Sequence, residues 1–278
     1  MNGSARARGL GAELRQFRSQ SGYKQEDVAK RLGLSKATMS RIENGTKAVT
    51  EADVSAILAI LGVTGEDRNR LLKLAREQDQ PGWWETGVPG LPKQLTGLLE
   101  FERDASQISC LGMVLVPGLL QTSDYARAVM HGSDVDAADI EARVAIRLGR
   151  QESLTKPTPA GFRAFIDASV LRRVVGGTRV MAEQLRHILK MARRRNVTVQ
   201  VIPEEVATHP GLEGSFVLLD FPKARSIVHL EQRRLGAFLD EPADVADYAK
   251  VLDTLERVTL SPADSAKLIA TRADELEG

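Results

Sequence analysis

Residues 25–45, QEDVAKRLGLSKATMSRIENG, constrain this chain more than any other stretch, because small, turn-forming and apolar residues recur there at helix-pair spacing. Counting Gln25 as position one, Ala29 stands at position five and Gly33 at position nine. A small residue lets two helices cross at a steep angle, and glycine accepts the positive φ of a tight turn between them. Val28, Leu32, Leu34, Met39 and Ile42 occupy positions four, eight, ten, fifteen and eighteen, the places that pack such a pair. Ser35 stands where it would cap the second helix, since a serine oxygen accepts an N–H of the first turn. Lys36, Ala37, Ser40, Arg41 and Asn44 are left facing outward. Short, polar and basic side chains on one helix face suit the major groove of duplex DNA. The pattern predicts a helix-turn-helix that reads double-stranded DNA.

The flanking sequence extends this to five helices within residues 1–80. Leu10, Leu14 and Phe17 share one helical face before Gly22. Val54, Ile57, Leu58 and Leu61 mark a fourth helix ahead of Gly62, and Leu71, Leu72 and Ala75 a fifth. Charge supports the same partner. Ten cations against four carboxylates give residues 1–48 a net charge of +6, in a chain whose formal net charge is only +1. A basic head on a mildly acidic body fits a protein that meets a polyanion at one end.

Residues 77–92, EQDQPGWWETGVPGLP, are dense in proline and glycine, which break periodic structure. A linker over 81–92 is expected there, with Trp83 and Trp84 pinning it against one of the domains or contacting a ligand or partner. Residues 93–278 then read as a second domain of α+β type. A helix is predicted over Leu95, Leu98, Leu99, Glu102 and Ile108, followed by an apolar strand, GMVLV, that stops at Pro117. Helices are expected near 123–131 and 136–152. Strands are expected at 161–167, 197–203, 214–221 and 226–231, with a helix over 178–194 between the first two. Two last helices, near 242–259 and 262–274, each begin with a proline in the first turn, a position that needs no N–H.

The sequence pattern weighs against catalysis, metal binding and membrane insertion. His131, His187, His209 and His229 are scattered, none at ligand spacing from another histidine or from the single cysteine. No phosphate loop, dinucleotide fingerprint or nucleophile elbow occurs. Neither a metal nor a cofactor is expected, and no catalytic residue is assigned. Cys110 lies in an apolar run and reads as a packed thiol. Asp167 and the run His209, Pro210, Gly211 read as turn residues, Gly176 and Gly177 as a helix stop and start. Arg193, Arg194 and Arg195 close a helix, where cations suit the helix dipole. The basic N-terminus lacks the apolar core of a signal peptide. The longest apolar runs, at 57–61 and 113–116, fall far short of the ~20 residues of a membrane helix. With one cysteine and no such segment, a reducing cytoplasm is the expected setting.

Residues 25–45 resemble the XRE family of repressor-type regulators, matching its pattern from Gln25 through Ala29, Gly33, Ser35, Ser40 and Glu43 to Gly45. The resemblance implies a five-helix DNA-binding domain. It implies that Gln25 bonds a phosphate, that Lys36, Ala37 and Arg41 face base edges, and that Ser35, Thr38, Asn44 and Lys47 lie near the backbone. It also implies an interhelical salt bridge between Arg18 and Glu43, which makes Glu43 structural. Ala37 replaces the longer polar side chain of other members and leaves only a methyl contact to thymine.

The rest of the chain resembles the C-terminal domain of WhiJ-like actinobacterial regulators, in LVPGLLQTSDYARAV (115–129), LRRVVGG (171–177), MAEQLRHILKMA (181–192), NVTVQVIP (196–203), GLEGSFVLLDFP (211–222) and SPADSAKLI (261–269). This resemblance implies a role in development or specialised metabolism and a small partner protein encoded alongside, in an antitoxin-like arrangement. It offers no ligand or catalytic residue. Three tasks stay open for the second domain: forming a homodimer, binding a small-molecule effector, or docking the small partner. The expected function is a sequence-specific transcriptional regulator of repressor type. The alternative is an antitoxin-like protein that holds its partner and autoregulates.

Overall fold

Five helices open the chain, and the first four are each followed, two residues on, by a glycine. In a computed structural model that describes residues 5–76, 95–133, 135–222, 224–231 and 236–278, they are α1 (Ala5–Gln20), α2 (Gln25–Arg31), α3 (Lys36–Glu43), α4 (Glu51–Ile60) and α5 (Gly65–Arg76). Gly33 takes φ +67° in the turn between α2 and α3, and Gly45 takes φ +64° after α3. At Gly45 a side chain is doubly excluded, because a Cβ would run into the α1 backbone at Arg8. Gly11 makes the reciprocal close approach: a Cβ there would stand 2.6 Å from the carbonyl oxygens of Ile42 and Glu43. The end of α3 therefore lies directly on the α1 backbone.

The expected apolar positions form the core of this region. Leu10, Leu14, Val28, Ala29, Met39, Ile42, Val54, Ile57, Leu58, Leu71, Leu72 and Ala75 are all buried, while Phe17, Leu32 and Leu34 are half-buried. One buried ion pair ties the first helix to the last: Arg70 on α5 grips Glu13 on α1, Nη1 at 2.9 Å and Nη2 at 2.6 Å.

The remaining elements are α6 (Leu95–Asp104), β1 (Gln107–Gly112), α7 (Ser123–His131), α8 (Ile140–Gly149), α9 (Glu152–Thr155), β2 (Gly161–Asp167), α10 (Ala168–Arg172), α11 (Thr178–Met191), β3 (Val197–Ile202), β4 (Phe216–Asp220), β5 (Ile227–Glu231), β6 (Gly236–Leu239), α12 (Pro242–Val258) and α13 (Pro262–Glu277). The strands form one mixed sheet in the order β3-β2-β1-β4-β5-β6. β1 pairs in parallel with β2, and β2 with β3, whereas β4 runs antiparallel to β1. Phe162, Ala164, Phe165 and Ile166 of β2 are buried, as are Val197, Val199, Val201 and Ile202 of β3. Strands of a parallel sheet covered on both faces read as near-continuous apolar runs. The fold is the five-helix domain followed by a mixed helix-and-sheet domain, as expected. By internal contacts the chain divides into two units. The first holds the described residues within 1–100, 223–227 and 232–241, and the second those within 101–222, 228–231 and 242–278. The expected linker, with Trp83 and Trp84, lies outside the described residues.

Two expectations need correction. The helix from Leu95 ends at Asp104, so Ile108 belongs to β1, and the strand is QISCLG rather than GMVLV. Beyond Gly112 the chain folds back on itself: a Cβ at Gly112 would meet Leu115 O at 2.9 Å and the Pro117 ring at 3.1 Å. An extended strand is excluded there, and Val114 is 58% exposed. The short elements α10 and β6 were not anticipated.

Side-chain amides lock the loops of the second unit. Gln184 on α11, fully buried, accepts Thr122 N–H and donates to Leu120 O, both at 2.7 Å. It pins the PGLLQT segment that leads into α7. Asn196, ahead of β3, donates to Leu154 O at 3.1 Å and Ala160 O at 2.9 Å. A buried carboxylate, Glu102 on α6, receives Arg150 at 2.7 and 2.8 Å.

His229 on β5 sets a pH limit on this packing. Burial pushes its pKa from the ordinary 6.5 down to about 4, with Glu231 opposing the shift and Arg150 reinforcing it. Between those values the unfolded chain binds a proton that the folded chain refuses. The contribution is therefore complete above pH 6.5 and is lost as the pH falls towards 4, amounting to about 3 kcal/mol. Denaturant unfolding across this range checks the slope: it should be reduced in His229→Gln, and an unchanged slope in that variant would contradict the assignment.

Candidate nucleic-acid interface

The second helix of the pair has two chemically opposite faces. Met39, Ile42 and Glu43 are buried, whereas Lys36, Ala37, Arg41 and Asn44 are exposed and Thr38 and Ser40 half-buried. Positions 36, 37, 40, 41 and 44 share one helical face by their spacing. Gln25, the first residue of α2, is half-buried, and Lys47, just past α3, is exposed. Ser35 caps α3 as expected, its Oγ accepting Thr38 N–H at 3.1 Å and donating to Thr38 Oγ1 at 2.9 Å.

The buried face is organised by one carboxylate. Arg18 on α1 binds Glu43 bidentately, Nε to Oε1 at 2.6 Å and Nη2 to Oε2 at 3.0 Å. Gln25 Nε2 on α2 donates to the same Oε2 at 2.9 Å. The Arg18 guanidinium also donates to Tyr23 O at 2.9 Å, in the turn between α1 and α2. Three helices thus meet at a carboxylate whose side chain is 1% exposed, facing a guanidinium only 14% exposed. The expected salt bridge is present. Arg15 was not anticipated: its Nη2 donates to Glu43 O at 3.2 Å and to Asn44 Oδ1, closing the end of α3 onto α1. Nothing local in sequence marks Arg15, because its partners lie almost thirty residues away.

The exposed side chains are less constrained. Lys36 pairs with Glu26 at 3.3 Å, with the two side chains 66% and 54% exposed. Such a surface pair is worth ~0–1 kcal/mol and yields readily to a phosphate or a base. Arg41 Nη2 approaches Thr38 Oγ1 at 3.4 Å, a long and weak contact. Asn44 Nδ2 reaches Ser40 Oγ at 3.4 Å while its oxygen serves Arg15. Gln25 spends one amide hydrogen on Glu43 and keeps the other. The Arg41 carbonyl accepts Thr46 N–H at 2.9 Å and Lys47 N–H at 3.2 Å, which fixes where Lys47 leaves the helix.

Other candidate chemistry is accounted for by structure. Burial, aided by the Glu102 carboxylate, holds the Cys110 thiol up at about 12, so it stays protonated at neutral pH. Asp167 caps α10, accepting Ser169 N–H at 2.9 Å. Gly176 and Gly177 take φ +73° and +92° just before α11 starts at Thr178. Among the described residues there is no group of three or more histidine, cysteine or acidic side chains placed to hold a metal, and no helix long and apolar enough to cross a membrane.

The crossing of α2 and α3, the positive-φ turn at Gly33 and the polar outward face of α3 define a helix-turn-helix domain of the DNA-binding regulators. Comparison with protein families agrees: residues 9–71 match a helix-turn-helix domain, and residues 95–271 match a domain of unknown function, DUF5753. That second match covers more than half of the 278 residues, and the chain belongs to the DUF5753 family. No curated protein and no solved structure matches it.

Breaking the buried pair should be far more damaging than breaking an exposed one. Glu43→Gln leaves the largely enclosed Arg18 without a countercharge and should cost about 3–5 kcal/mol, whereas Arg76→Ala, at an exposed pair with Glu51, should change stability little. Urea unfolding of the two variants measures the difference, and equal losses would show that Glu43 does not organise the helices.

Proposed function

We propose that this protein is a sequence-specific transcriptional regulator, acting as a repressor, that binds double-stranded DNA as a homodimer through α3. The observation that carries the reading is the division of α3: Lys36, Ala37, Ser40, Arg41 and Asn44 side by side on the solvent face, with Glu43 anchoring the opposite face. In this reading Lys36, Ala37 and Arg41 address base edges with Ser40 beside them on the outward face, and Gln25, Ser35, Thr38, Asn44 and Lys47 address the sugar-phosphate backbone. Ala37 contributes a methyl contact.

One such head makes few phosphate contacts and binds weakly, so useful affinity needs two heads on half-sites about one helical turn, ~34 Å, apart. The C-terminal domain, beginning after a linker at 81–92, supplies the second function: it responds to an effector and so controls the heads. The net positive charge of residues 1–48, against a mildly acidic remainder, supports DNA contact at that end.

Two substitutions separate base reading from backbone contact. Arg41→Ala should cost roughly 1–3 kcal/mol at the preferred duplex and relax its sequence preference. Lys47→Ala should weaken all duplexes alike and lower the slope of log affinity against log salt by about one. Binding isotherms on preferred and random duplexes at several salt concentrations report both. An equal loss on the two duplexes for Arg41→Ala would leave that residue with phosphate only.

A further inference from the structure

The three consecutive arginines of the second unit are not absorbed by the helix they follow. α11 ends at Met191 with Lys190 as the cation of its last turn, so Arg193, Arg194 and Arg195 lie beyond it. The helix dipole acts over the last turn, where Lys190 already meets it. All four side chains are exposed, and among the described residues none of them forms an ion pair. Other surface arginines of this unit do find a carboxylate: Arg179 pairs with Glu183 at 2.8 Å and Arg186 with Glu277 at 2.6 Å. The sequence explains the difference. Residues 184–203 hold five lysines and arginines and no aspartate or glutamate.

The turn that carries them is fixed. Arg193 N–H bonds Lys190 O at 3.3 Å, Arg194 N–H bonds Met191 O at 3.0 Å, and Val197 N–H bonds Arg194 O at 3.1 Å. Asn196 then ties the turn to the start of β2, its Nδ2 donating to Ala160 O at 2.9 Å and its carbonyl accepting Phe162 N–H at 2.7 Å. The cations thus stand on ordered backbone at the amino ends of β2 and β3. Four positive charges within six residues lie inside one Debye length, about 8 Å at physiological salt, and together draw anions.

What the patch lacks selects the anion. A protein docking surface has an apolar core, and among the described residues the exposed large apolar side chains are Val114, Val174, Leu212 and Leu268, none in this stretch. Single-stranded nucleic acid is held by stacking on aromatic rings, and no Phe, Tyr or Trp occurs between Phe165 and Phe216. Duplex DNA asks for neither. Its phosphates are gripped by guanidinium forks, and the condensed counterions they displace drive binding.

We propose that Arg193, Arg194 and Arg195, with Lys190, form a second contact surface for double-stranded DNA, carried by the second domain and gripping phosphates without regard to base sequence. It rests on the DNA-binding reading above for a head on the same chain, since two contacts on one duplex reinforce each other.

The test titrates the full chain onto preferred and random duplexes at several salt concentrations. The combined variant Arg193→Ala, Arg194→Ala, Arg195→Ala changes only exposed side chains. It should weaken both duplexes alike, about tenfold or more at physiological salt, and lower the slope of log affinity against log salt by about two to three. The same three positions changed to lysine keep their charge and should keep most of that slope. Arg179→Ala, whose cation is already paired, should behave as the native chain does. An unchanged slope in the alanine variant, or an equal loss in Arg179→Ala, would overturn the surface and leave the head's base reading standing. A lowered slope in a chain without sequence preference would keep the surface and remove that base reading. No binding to any duplex would overturn both. DNA binding that is unmoved while a co-purifying acidic protein is lost would overturn the surface and give the arginines to that partner.

Discussion

One buried carboxylate holds the reading head together. Glu43 receives a guanidinium from α1 and an amide from α2 while standing on α3, so these two partners and its own helix meet at one point. Ion pairs in this setting are demanding, because both charges have left water and each depends on the other's geometry. That demand explains the close backbone contact around it. Gly11 and Gly45 let α1 and the end of α3 approach to a distance that any side chain would prevent. The outward face of α3 is then presented at a fixed angle, with the cost of ordering met within the fold rather than on binding.

The second unit follows a different logic. Its loops are fastened by side-chain amides, the buried Gln184 and Gln121 and the half-buried Asn196, each bonded to main-chain groups that would otherwise be orphaned. The change from parallel to antiparallel pairing falls on β1, and the PGLLQT segment leaves its carboxyl end already tied to α11. Charge inside this unit is paired where it is deep, as in Glu102 with Arg150.

The head was legible in sequence because its information is local. Helix caps, small residues at crossings and apolar spacing all act over a few residues, and Ala29, Gly33, Ser35 and Ile42 each do what their type and place suggest. The strands at β2, β3, β4 and β5 were readable for the same reason. The failures are long-range. GMVLV is as apolar as a strand should be, yet β1 is QISCLG, because β2 and β4 supply partners for those residues and the chain must then turn back at Pro117. β6 is four residues long and too short to show a period. The partners of Arg15, Gln25 and Arg147 lie far off in the chain or on other elements, and no local pattern announces them.

The central claim is that α3 reads base sequence. Selection of bound duplexes from a fully randomised pool by the intact chain tests it most directly. The account predicts convergence on a short motif repeated as two half-sites about one helical turn, ~10 base pairs, apart. Recovery of duplexes with no shared sequence, bound only through their charge, would contradict it.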